Sequence, residues 1–184
     1  VSALALAPGG RPLHHIGYVV ADLEDAATRL AQTVGAGPFL HLGHVALEEA
    51  TYRGEPAHYD HETAFGQWGP LIVEISRIHA AEPAGLWQFF NSGTTPAIGH
   101  GAWLVDDLDD ESAALERAGL PLVHTGGSGP VRAHWHDGGA LLGHPVEVLR
   151  RCPEILGLYA AVQAAAVGFD GRDALRPGPG PPPS

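Results

Sequence analysis

The chain has 184 residues, 45% of them hydrophobic, which suits one compact unit with a real core and excludes several independent enzymes. Ten arginines and no lysine stand against 21 acidic residues, a net charge of −11 that excludes the phosphate-neutralising surface of a nucleic-acid binder and repels anionic membrane. No apolar run approaches the roughly 18 residues of a membrane span, the opening Val1 to Ala7 is too short for a secretory signal, and the lone Cys152 cannot form an internal disulfide, so a cytoplasmic location is expected.

Residues 1–12 and the Gly/Pro-rich run 177–184 carry too little apolar surface to offset their ordering entropy, and both are expected to be flexible. From His15 a β-branched and aromatic run reads as a strand. Asp22 then reads as a helix N-cap, Leu23, Ala27, Leu30 and Val34 fall on one stripe, and Gly35 supplies the stop. Three strands follow at about 39–48, 57–65 and 71–77, punctuated by Gly-Glu-Pro and Gly-Gln-Trp-Gly-Pro turns. The pattern then repeats at an offset of 85 residues. His15, Val20, Asp22, Leu23, Asp25 and Leu30 fall on His100, Val105, Asp107, Leu108, Asp110 and Leu115.

In the second copy Asp107 or Asp109 caps the helix, Leu108, Ala114, Leu115 and Ala118 form its stripe, and Gly119 ends it. Strands are predicted at about 122–125, 131–136 and 145–150. The chain therefore reads as an α+β fold of two βαβββ modules, 13–92 and 93–151. A helical segment within 152–176, apolar from Ile155 to Val167, is expected to pack on the outside of a sheet.

Twelve histidines outnumber all the cations, which suggests metal ligation or proton transfer. Each module carries one histidine on its first strand and one glutamate on its last: His15 and Glu74, then His100 and Glu147. A glutamate within an apolar strand is costly to bury unless it is paired or bound to a metal. Two modules related by a pseudo-twofold axis would join these four into a mixed nitrogen and oxygen set for Zn, Ni, Co, Mn or Fe(II). Alternation puts His14 on the other face from His15.

On the third strand Tyr59, His61, Thr63 and Phe65 share one face, and the more apolar face should turn inward. That makes His61 a candidate general base, with Tyr59 and Phe65 as substrate contacts. Trp68 and Trp103 are further candidate substrate contacts, and Trp87, Phe89 and Phe90 could join Trp68 at an apolar entrance. On the strand 131–136, Arg132, His134 and His136 oppose Ala133 and Trp135, and alternation alone leaves open which set faces inward. His41, His44, His79 and His124 lie in edge or loop contexts and are expected to be solvated, while His144 sits in a turn.

The order of Leu-His-His15-Ile-Gly-Tyr-Val-Val-Ala-Asp-Leu, Gly-Pro-Leu-Ile-Val-Glu74-Ile, Gly-His100-Gly-Ala-Trp-Leu-Val-Asp-Asp-Leu and Gly-His-Pro-Val-Glu147-Val-Leu resembles the vicinal oxygen chelate superfamily. Glyoxalase I, methylmalonyl-CoA epimerase, extradiol dioxygenases and bleomycin-resistance proteins belong to it. The likeness runs from about Leu13 to Arg150, and Tyr52-Arg-Gly-Glu-Pro56 resembles the epimerase-type branch. It implies an open barrel of two modules, paired within one chain or across a homodimer, with one divalent metal on His15, Glu74, His100 and Glu147.

The reaction so implied is isomerase, epimerase or lyase chemistry on a small carbonyl substrate: chelation, proton abstraction by Glu147, Glu74 or His61, and an enediolate intermediate. Two alternatives stand beside it. An extradiol-type dioxygenase would use Fe(II) on His15, His100 and Glu147, and a drug-sequestering binder would be non-catalytic. With so few arginines near strand ends, a strongly anionic substrate is disfavoured.

Overall fold

The computed structural model describes residues 10–179 apart from Ser92 and Thr94. The first half runs β1 (His15–Val19), α1 (Leu23–Val34), β2 (Phe39–Ala46), β3 (Glu48–Tyr52), β4 (Glu55–Pro56), β5 (His58–Trp68), β6 (Leu71–Glu82) and the short α2 (Ala84–Phe90). The second runs β7 (Ala97–Val105), α3 (Leu108–Arg117), β8 (Leu122–Ser128), β9 (Val131–His136), the single turn α4 (Gly139–Leu142) and β10 (Val146–Arg150), with α5 (Pro153–Ala166) and β11 (Leu175–Pro177) after it. Strand, helix and three strands thus occur twice, with the β3–β4 hairpin inserted into the first copy.

Local chemistry sets the helix ends. Asp22 Oδ1 accepts the Asp25 N–H at 2.8 Å, and Asp107 Oδ1 accepts that of Asp110 at 2.9 Å, each satisfying a donor the first helical turn leaves free. Gly35 closes α1 in the left-handed conformation at φ 70°. The buried stripe of α1 is Leu23, Ala27 and Ala31, and that of α3 is Leu108, Ser112 and Leu115. The expected stripe members Val34 and Ala118 are exposed, because each stripe rotates away from the sheet at its last turn.

Among the described residues the eleven strands form one sheet in the order β11-β2-β5-β6-β1-β7-β10-β9-β8-β3-β4. At its centre β1 and β7 run antiparallel, with β6 parallel to β1 on one side and β10 parallel to β7 on the other. The two copies therefore join within one chain. The β3–β4 hairpin, contributed by the first half, pairs with β8 and extends the far edge of the second. Alternation divides the apolar side chains. One face of the sheet packs on α1 through Leu23, Ala27, Phe39 and Ile75, and on α3 through Leu108, Leu115, Val146 and Val148. The concave face carries a larger cluster including Tyr59, Phe65, Phe90, Trp135 and Leu149.

Three expectations are corrected. The last helix does not lie outside the sheet: Ile155, Tyr159 and Val162 of α5 are buried in the concave cluster, since that face had the larger uncovered apolar area. The tail is ordered further than expected. Pro177 ends a strand parallel to β2, and Gly178 N–H donates to His41 O at 2.8 Å. Residues 1–9 and 180–184 of the expected flexible ends lie outside the described residues. His124 is not solvated but fully buried among Tyr59, Phe90 and Trp135, because the β3 backbone covers the edge it would otherwise expose. Its Nδ1–H donates to Thr51 O at 2.6 Å.

Burial pushes the His124 pKa down to about 4 against the opposing hydrogen bond to Thr51. Above about pH 6.5 the ring is neutral folded and unfolded. Between there and pH 4 only the unfolded chain gains the proton, so stability falls by up to about 3 kcal/mol. In chelator the wild-type thermal midpoint should drop through that window, and His124→Gln, although less stable at pH 7, should drop less. An equal pH slope in the variant would place the effect elsewhere.

Candidate metal centre

The four central strands each supply one polar side chain to the concave face: Glu74 from β6, His15 from β1, His100 from β7 and Glu147 from β10. The register makes them converge. Gly17 lies opposite both Glu74 and His100, while Ala102 lies opposite both His15 and Glu147. Small residues are required between the ligand positions, and Gly17 most of all. A Cβ there would sit 2.3 Å from the His100 ring.

All four side chains are buried, and one donor atom from each lies within 4.8 Å of the rest. His15 Nε2 is 3.3 Å from Glu74 Oε2 and 3.1 Å from Glu147 Oε2; His100 Nε2 is 3.1 Å from each. The two Nε2 atoms are 3.0 Å apart. Bonds of about 2.1 Å meeting at right angles put neighbouring donors about 3.0 Å apart, and tetrahedral ones about 3.4 Å. The spacing therefore fits the edges of a coordination polyhedron. Glu147 Oε2, buried without an aligned hydrogen bond, and two imidazole nitrogens pointed at one another are poorly satisfied as protein-only contacts. A shared cation would satisfy all of them, and the two carboxylates would offset the charge of a divalent ion.

Supporting contacts orient the set. Glu74 Oε1 accepts the hydroxyls of Thr63 at 2.7 Å and Ser76 at 2.8 Å, leaving Oε2 for the centre. Tyr159, from α5, places its hydroxyl 2.6 Å from His15 Nδ1, which fixes the ring and directs Nε2 inward. Burial acts against charge on every member, yet mutual attraction wins. The carboxylates of Glu147 and Glu74 raise His15 and carry His100 up to about 10. The imidazoles in turn bring Glu147 down to about 2 and hold Glu74 well below the usual carboxylate range.

A cavity of about 200 Å³ opens beside the quartet, lined among others by Tyr59, His61, Phe65, Phe90, Trp135 and Leu158. The face left open on β9 is thereby decided. Ala133 and Trp135 turn inward, and His134 and His136 bind Ser112 of α3 at 2.7 and 3.0 Å. His14 points away, with Nδ1 donating to Pro12 O.

Two proposed substrate contacts do not reach the cavity. Trp68 projects from the opposite face near α1, and Trp103 donates its indole N–H to Glu111 of α3, because each occupies an odd position relative to the inward residues of its strand. Of the aromatics suggested for the entrance, Phe90 lines the cavity, Phe89 packs behind it and Trp87 is exposed. Sequence reading missed Tyr159 and Trp135. Tyr159 reaches His15 across 144 residues and leaves no local signal; Trp135 shows only as one member of an alternating pair.

Residues 14–138 match the profile of the family described as the Glyoxalase/Bleomycin resistance protein/Dioxygenase superfamily. Among solved structures the chain is similar to methylmalonyl-CoA epimerase from Mycobacterium tuberculosis, with 18% identity, a TM-score of 0.52, and 79% of this chain and 91% of that one covered. A hypothetical protein from Bacillus halodurans C-125 is similar at 15% identity and a TM-score of 0.52, over 77% of this chain and 95% of that one. Both likenesses are of fold. No curated protein sequence matches significantly.

Two outcomes follow from the geometry. Because metal binding needs neutral imidazoles, loading a divalent ion at pH 7.5 should release at least about one proton, that of His100, and affinity should climb with pH towards 10. A pH-indicator titration that shows no release would contradict the protonation assigned to His100. Gly17→Ala should push His100 aside and weaken metal binding by at least about tenfold with cooperative unfolding intact, measured by equilibrium dialysis.

Proposed function

The chain belongs to the vicinal oxygen chelate superfamily, and from that premise we propose that it is a divalent-metal-dependent isomerase or epimerase. Its substrate would be a small, largely uncharged carbonyl compound, and its work the movement of a proton at the carbon next to the carbonyl. The observation that carries this reading is the buried set of two imidazoles and two carboxylates facing an otherwise apolar cavity. Such a site fits Zn, Ni, Co or Mn on His15, Glu74, His100 and Glu147. When bound, the ion supplies Lewis-acid polarisation of a carbonyl oxygen and so acidifies the neighbouring C–H.

The protein's own groups divide the remaining work. Glu74 is held by two hydroxyls and serves as a fixed ligand. Among the described residues no hydroxyl holds Glu147 in this way, so its side chain is the less constrained of the two and the one assigned to move during turnover. His61 lines the cavity, and its buried Nδ1 has no aligned hydrogen-bond partner. Burial lowers its pKa, against the pull of Glu74 and Glu147, so the ring is neutral and able to accept a proton at pH 7. Tyr59 and Phe65 pack around the space the substrate would fill.

No arginine is among the cavity-lining residues, which supports an uncharged substrate over a large anionic thioester lodged wholly inside. The tethering of Glu74 supports non-redox chemistry over an iron dioxygenase, which needs a three-ligand set with more open positions. The intact ligand set counts against a purely sequestering binder. Cytoplasmic location and a homodimer remain part of the proposal; among the described residues no helix is long and apolar enough to cross a membrane.

His15→Ala and Glu147→Ala should lose stoichiometric metal while staying folded, as read by elemental analysis and circular dichroism. Metal retained by both would sink the ligand assignment. His61→Ala should keep its metal and lose about 10²- to 10⁴-fold in proton exchange of a small α-proton carbonyl substrate. Unchanged exchange would remove His61 from the chemistry.

A further inference from the structure

The face of the sheet opposite the cavity carries a second convergence of ligands. His44 of β2 lies opposite Glu62 of β5, and alternation puts Glu62 on the other side of β5 from His61 and Thr63. The β5–β6 register breaks between Asp60 and His61, where His79 of β6 falls in the bulge and brings its Nε2 to 3.4 Å from Glu62 Oε2. From this we propose that His44, Glu62 and His79 form a second divalent-metal site, distinct from the buried centre, for an ion of the zinc, nickel and copper class.

One donor atom from each of the three lies within 4.8 Å of the others. A further imidazole stands beside the set: His41 Nε2, buried and without an aligned hydrogen bond, lies 2.7 Å from Glu62 Oε1, leaving Oε2 towards His79. The His44 and His79 rings lie stacked with centroids 4.2 Å apart, close enough that a rotation of the exposed His44 ring would bring both onto one ion, and Asp60 stands 3.3 Å from His44 Nδ1. Two imidazoles and one carboxylate on rigid strands suit borderline divalent ions over calcium or magnesium, which prefer all-oxygen sets. Three protein ligands leave further positions for water on the exposed side, where His44 is 60% accessible. The ion would clamp β2 to β6 across β5, where bulges interrupt both ladders. The inference also accounts for three histidines that the buried centre leaves unused.

Equilibrium dialysis of the chelator-stripped full chain against Zn²⁺, with elemental analysis, tests it. The double variant His44→Ala, His79→Ala should bind one zinc fewer per chain than the parent, in wild type and in a His100→Ala background alike. Because His100 serves only the buried centre, failure there lowers the total count without closing the difference. Equal stoichiometry in parent and double variant overturns the outer site. In the intact protein, imidazole ¹⁵N signals of His44 and His79 should shift on adding zinc, and Glu62→Gln should weaken that response by about tenfold. Signals that stay unmoved at saturating zinc overturn it independently of any variant.

Discussion

Two ionisable pairs buried at the middle of a single sheet are the constraint around which the rest of the chain is arranged. His15, Glu74, His100 and Glu147 stand on adjacent strands, within hydrogen-bond range of one another and shielded from water. Burying four such groups is unfavourable unless each finds a countercharge or a cation. The antiparallel meeting of β1 and β7 makes this feasible, since it relates the two copies of the strand–helix unit so that each His–Glu pair faces the other.

The side chains beyond the quartet follow from that need. Thr63 and Ser76 satisfy one oxygen of Glu74, so its other oxygen is committed to the centre. Tyr159 does the same for the outer nitrogen of His15, which requires α5 to return over the concave face. The helix thus covers apolar surface and completes the ligand support at once. Among the described residues no hydroxyl holds Glu147 as Thr63 and Ser76 hold Glu74, an asymmetry within a pseudo-symmetric site.

The cavity inherits its character from what surrounds the ligands. Aromatic rings from β5, α2 and β9 supply the walls, and no arginine contributes. With no arginine or lysine among the lining residues, a cation held by the quartet would supply the positive charge that an electron-rich substrate needs. On the opposite face the imidazoles and carboxylates of β2, β5 and β6 stand in solvent-accessible positions, where charge is less costly and ligand exchange is easier.

Much of this was legible in the sequence. The 85-residue repeat, the cap at Asp22, the inward face of β5 and the shared positions of His15, Glu74, His100 and Glu147 follow from periodicities of 2 and 3.6 and from the cost of a glutamate in an apolar strand, while the choice of Asp107 over Asp109 as the second cap does not. These are local properties, fixed by the order of neighbouring residues. Only the tertiary structure decided that α5 lies inside the curl, that β3 buries His124, that Trp135 faces the cavity while Trp68 and Trp103 do not, and that His41, His44 and His79 gather around Glu62. Each depends on which distant strand comes to lie alongside, a matter of competing apolar surfaces over the whole chain that no short window of sequence contains.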